Sequence, residues 1–138
     1  MTRIAGSGFL IALLDRLVPL HIWAKRVVWA KRVVQEEEPP YLVCEAVCAE
    51  LAAVTGTSDP LLQMLERGDI KLAFSLADEV TAVRKLTLKY LDQPMDLADG
   101  CVVRMSEIYH VCRVFIVDRR DFTAYRQWGT KTIPCVSP

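Results

Sequence analysis

Residues 113–117 read Arg-Val-Phe-Ile-Val, a β-branched, continuously apolar run of the kind expected for a strand buried on both faces. Shorter strand patterns stand upstream at 2–5, 41–44 and 70–74. Helical patterns alternate with them: a turn at 9–14 ended by Pro19, then 21–35, 45–54, a helix from Ser58 or Asp59 to Gly68, then 78–91 and 96–110. Pro60 suits an early helical position, and Gly68 suits a C-terminal cap. Glu36-Glu37-Glu38-Pro39-Pro40 is an acidic stop with two helix breakers. Residues 122–128 read as a short turn or helix, with Thr132-Ile133 as an edge strand. Strands alternating with helices at this spacing predict an α/β sandwich with a mainly parallel central sheet, in one domain over 1–138.

With 138 residues, 52% of them apolar and 25% charged, the chain is long enough to bury a core and too apolar for disorder. A formal net charge of +0 supplies no global field for nucleic acid. The apolar run 8–14 stops at Asp15-Arg16 with no small-residue cleavage site after it, which argues against a signal peptide. No stretch approaches bilayer length, and a cytoplasmic protein away from membranes is expected. The five cysteines, Cys44, Cys48, Cys101, Cys112 and Cys135, have no metal-binding spacing and read as small buried hydrophobes in a reducing compartment.

Four aspartates fall in two tight clusters, Pro94-Met95-Asp96-Leu97-Ala98-Asp99-Gly100 and Val117-Asp118-Arg119-Arg120-Asp121-Phe122. Ligands of open parallel sheets sit beyond the carboxyl ends of the strands, and Asp118 follows the best strand directly. Asp99 lies one helical turn after Asp96. Glu50 lies in the helix after the second strand, among apolar neighbours. Carboxylates converging from separate segments would repel one another and raise their pKa values, and a hard divalent cation resolves this. Each has a structural alternative: Asp96 as an N-cap, Glu50 as a solvated helix residue, Asp121 as the cap of the helix at Phe122.

The order Ile4-Ala5-Gly6-Ser7-Gly8-Phe9-Leu10, Glu45-Ala46-Val47-Cys48-Ala49-Glu50-Leu51 and then the two aspartate clusters resembles the PIN domain, in particular the VapC-type toxins of bacterial toxin–antitoxin pairs. The resemblance runs from Ile4 to about Pro134. It implies a three-layer α/β/α sandwich, Mg²⁺ or Mn²⁺ dependence, endoribonuclease activity on RNA, a homodimer and a cognate antitoxin. By position it implies Glu50, Asp99 and Asp118 as catalytic metal ligands, with Asp96 at the same site. Asp121 stands just behind, and Ser7 takes the hydroxyl position after the first acid. That first acid falls at position 6, where this chain has Gly6. Losing one ligand removes a full charge, so a weak or inactive nuclease is expected. The alternative is a non-catalytic module that keeps the surfaces for antitoxin or RNA. A flavodoxin- or receiver-like regulatory domain would need a paired acid or a phosphate loop after the first strand, and Gly6-Ser7-Gly8-Phe9 supplies neither.

Trp23-Ala24-Lys25-Arg26-Val27-Val28 is repeated at once as Trp29-Ala30-Lys31-Arg32-Val33-Val34. Six residues turn a helix by about 600°, so the copies cannot face the same way. Trp23, Val27, Ala30 and Val34 share a stripe assigned to the core, leaving Trp29 on a basic face with Lys25 and Arg32. That face is either solvated or a contact for RNA or a protein partner.

Overall fold

A computed structural model describes residues 1–34, 40–93 and 95–138, without the side chains of 30–34. The acidic stop expected at 36–40 falls, except for Pro40, outside the described residues. The first strand, β1 (Thr2–Ala5), leads into α1 (Ser7–Leu14) and α2 (His21–Val34). Then come β2 (Tyr41–Val43), α3 (Glu45–Thr55), α4 (Asp59–Arg67) and β3 (Ile70–Leu72). The chain continues through α5 (Leu76–Lys89), α6 (Leu97–Ile108) and β4 (Cys112–Phe115) to α7 (Arg119–Ala124). It ends in β5 (Arg126–Gln127), β6 (Lys131–Thr132) and β7 (Cys135–Val136).

Five strands form one sheet in the order β3-β2-β1-β4-β7, every pair parallel. Helices flank it, giving the three-layer α/β/α sandwich. Ile4 sits opposite both Leu42 and Val114, so β1 is the central strand. The chain builds outward from β1 to β2 and β3, then returns to add β4 on the other side. The order therefore reverses between β1 and β4, and the crevice beyond their carboxyl ends is where ligands of such sheets bind.

Two terminal expectations change. Thr132 belongs to a small antiparallel hairpin with Arg126–Gln127 rather than to an edge strand of the main sheet. The edge is instead β7, beside β4. The short helix starts earlier than expected, at Arg119, and ends before Tyr125.

Under the sheet the core is aromatic at its centre. Phe9 packs on Phe115 with ring centroids 5.3 Å apart, and Phe115 meets Tyr41 edge-on at 5.1 Å. Burying Phe9 and Phe115 fully is worth about 1.5–3 kcal/mol each. Trp23 docks α2 by an edge contact with Phe9 at 5.9 Å. Among the described side chains of α2, Ala24 is buried and Trp23, Val27 and Val28 pack against the core, so Trp23 and Val27 face inward as expected, while the side chains of Ala30 and Val34 lie outside the described residues. Trp29 is 68% exposed, as its place on the basic face required. Gly68 ends α4 at φ 81°, the left-handed cap that glycine adopts without strain. Among the described residues no helix is long and apolar enough to cross a membrane.

Candidate metal centre

Every acid singled out in the sequence reaches one place. A cleft of about 290 Å³ beyond β1 and β4 is lined by Gly6, Ser7, Glu50, Asp96, Asp99, Asp118 and Asp121 among others. Among the described residues, none that lines it is Lys, Arg or His. The described wall of the cleft therefore concentrates negative charge.

Local structure explains each arrival. Gly6 follows β1, its N–H still paired with Phe115 O at 2.9 Å, and it caps α1 at φ −83°, ψ 166°. Ser7 opens α1 and donates its hydroxyl to Glu50 Oε1 at 2.8 Å, tying α1 to α3 across 43 residues of sequence. Asp96 caps α6, its Oδ1 accepting from the Asp99 N–H at 2.8 Å. It is thus a cap and a cleft residue at once, and the two expectations for Asp96 were not exclusive. Asp99 is half-buried, held where Gly100 lets α6 approach α5 closely. A Cβ on Gly100 would meet Thr87 Cγ2 at 3.2 Å and Val83 Cγ1 at 3.4 Å.

Asp118, not Asp121, caps α7, its Oδ1 accepting from the Arg120 N–H at 3.1 Å. Asp121 lies in the first turn of that helix, where a carboxylate is favoured by the helix dipole. The cap falls to Asp118 because α7 begins directly after it, three residues before the expected start.

Crowding shows in the electrostatics. Burial, then Asp96, and more weakly Asp121 and Glu50, push the Asp99 carboxyl up to about 7. Burial and the neighbouring Asp118 push Asp121 up as well. Tyr125, which the sequence did not bring forward, is buried beneath these acids. Its phenol is raised by burial and by Asp99, Asp121 and Asp96. Its only sequence signal was its position one turn after Asp121.

The donor chemistry fits a hard divalent cation: carboxylates from separate elements in a part-buried cleft. The placement is looser than the chemistry. Among the described residues no three Asp, Glu, His or Cys side chains are gathered closely enough to hold a metal ion as they stand. Gly6 contributes no oxygen at the point where β1 enters the cleft. Nothing in the backbone there demands glycine, since a Cβ would meet Ile116 Cγ2 at 3.4 Å and Phe115 O at 3.5 Å, ordinary contact distances.

No family model matches the chain. It is similar to Ribonuclease VapC26 of Mycobacterium tuberculosis (strain ATCC 25618 / H37Rv), 31% identical over 99 residues, which cover 65% of this chain and 67% of that protein. With a parallel sheet of this order beneath the acidic cleft, the chain belongs to the VapC family.

Proposed function

We propose that this chain is a VapC-type toxin whose cleft is built for Mg²⁺- or Mn²⁺-assisted cleavage of RNA, and that Gly6 leaves it weak or inactive. The observation that carries the reading is the convergence of Glu50, Asp96, Asp99, Asp118 and Asp121 on one cleft at the switch point of the sheet. The relative's printed name, a ribonuclease, agrees with it. Glu50, Asp99 and Asp118 are the residues that would hold the ion, with Asp121 behind them and Asp96 holding the start of α6. Ser7 keeps Glu50 turned into the cleft. A bound divalent ion would polarise the phosphodiester and lower the pKa of an attacking water. The protein's part is to present oxygens and to keep Asp99 near its ionisation point, where a neighbouring positive charge drives it to the charged form.

A cognate antitoxin and a homodimer belong to the same proposal, in line with the family. Loss of even an outer-shell group around a metal typically costs about 10–100-fold, so a missing direct ligand should cost more. Gly6→Asp is the test, because the site accepts the new Cβ without displacement. RNA cleavage should appear or rise at least 100-fold in the substituted form with Mg²⁺, and the ion should raise its melting temperature more than that of the parent. Equal cleavage and equal metal response in both forms would refute the proposed role of position 6.

The second reading is a non-catalytic module that engages antitoxin or RNA through surfaces outside the cleft. Gly6 and the unclosed set of acids favour it over full activity. It requires that Gly6→Asp leave partner affinity unchanged and that the parent bind no divalent ion usefully.

A further inference from the structure

Tyr125 ends α7 as its C-cap residue and is 0% exposed. Its ring is held edge-on between Tyr90 and Phe122, each 5.2 Å away, and Phe122 is itself part of the cleft wall. Phenylalanine would serve that packing equally well. The hydroxyl is what needs explaining, because Tyr125 Oη is buried and has no hydrogen-bond partner. A buried polar group left this way is costly and rare. Tyr90 next to it shows the ordinary solution: its hydroxyl accepts from the Arg126 N–H at 3.0 Å.

The groups facing Tyr125 Oη are the acids of the cleft. The Asp99 carboxylate acts on it most strongly, and Asp121 and Asp96 follow. The phenol stands within reach of the Asp99 carboxylate, yet no hydrogen bond of good geometry joins them. Asp99 donates its N–H to Asp96 Oδ1 and its carboxylate accepts from the Asp96 backbone N–H, which leaves further oxygen lone pairs for the cleft and the phenol. A phenol is a proton donor at neutral pH and a carboxylate is an acceptor, so the pair is chemically complementary.

We propose that Tyr125 is the positioning residue for Asp99: its hydroxyl donates to the inner carboxylate oxygen and leaves the outer oxygen directed into the cleft. The inference rests on the reading of the cleft as a cation site. It also accounts for a tyrosine where the packing alone asks for an apolar ring. A carboxylate that must bind an ion with one oxygen gains from a fixed donor on the other, as outer-shell partners of metal ligands do elsewhere.

Tyr125→Phe keeps the ring and removes only the donor. In the Gly6→Asp background it should weaken Mn²⁺ binding about tenfold, followed by electron paramagnetic resonance without RNA, while the melting temperature in the absence of metal stays the same or rises. Unchanged Mn²⁺ affinity would overturn the positioning role. A second measurement needs no metal: the Raman tyrosine doublet or the hydroxyl proton resonance of Tyr125 should change in Asp99→Ala. No change there would overturn the contact itself. If the Gly6→Asp form binds no Mn²⁺ but the Asp99→Ala signature appears, the cation reading has failed and the positioning role falls with it, while the Tyr125–Asp99 contact stands.

Discussion

Ser7 Oγ donates to Glu50 Oε1 at 2.8 Å, joining the first residue of α1 to a carboxylate more than forty positions away. The bond sits at the rim of the cleft and orients Glu50 before any ligand arrives. Ser7→Ala leaves that carboxylate oxygen without its donor in a part-buried place. The expected loss is about 1 kcal/mol, or roughly 3–4 °C in the melting temperature of a domain this size. Thermal unfolding of parent and variant measures it, and an unchanged midpoint would show that water replaces the hydroxyl fully.

Asp99 ties stability to pH. Burial and the neighbouring acids push its carboxyl up to about 7 in the folded chain, against an ordinary 3.8, so between these values the folded state holds a proton that the unfolded state has released. Between those two values stability falls as pH rises, and above about 7 it levels off. After discounting for the part of the group that solvent screens, the loss is on the order of 1–2 kcal/mol. Urea unfolding at pH 5 and pH 8 tests the sign, and Asp99→Asn should flatten the profile by removing the titrating group. If the parent is as stable at pH 8 as at pH 5, the crowding of acids around Asp99 is weaker than the geometry indicates.

Where residues carry their own local signal, the sequence was readable. The apolar run at 113–117 located β4 within two residues, and Gly68 marked the end of α4 through its left-handed backbone. Ser75 also carried a signal that was overlooked: Ser75-Leu76-Ala77-Asp78 has a capping pattern, and Ser75 Oγ accepts from the Asp78 N–H at 3.3 Å, starting α5 two residues before the expected position. β7 had no such signal. It is two residues long, Cys135–Val136, and becomes a strand only because β4 offers it an edge. The acids were legible one by one, whereas their common cleft depends on the reversal of strand order between β1 and β4. Tyr125 was invisible because its importance lies in a buried contact, not in spacing.

Trp29 presents its indole on the basic face of α2, 68% exposed, and Lys25 and Arg26 are exposed beside it. A lone exposed aromatic contributes little to folding, so Trp29→Ala should change stability by no more than about 0.5 kcal/mol. If the face receives an antitoxin or RNA, the same change should weaken that binding by ~2 kcal/mol, since buried tryptophans dominate interface energies. Titration of RNA or a cognate antitoxin against both forms decides between a contact surface and a solvated face.

Asp96 allows its two roles to be separated. As a cap, its Oδ1 holds the Asp99 N–H; as a cleft residue, its carboxylate faces the other acids. Asn preserves the cap and removes the charge, while Ala removes both. Capping alone predicts that Asp96→Ala costs ~1 kcal/mol and that Asp96→Asn costs little, with no effect of either on divalent-ion binding beyond the loss of fold. A role in holding the ion predicts that both variants weaken Mg²⁺ or Mn²⁺ binding in the Gly6→Asp background, with Asn stable and still impaired. The charge argument adds a sign: removing Asp96 relieves the second-largest influence on Asp99, so in Asp96→Asn the fall of stability between acid and neutral pH should be shallower than in the parent. Denaturation across that range, alongside metal titration, shows whether Asp96 acts on the cleft through its charge or only through the helix it begins.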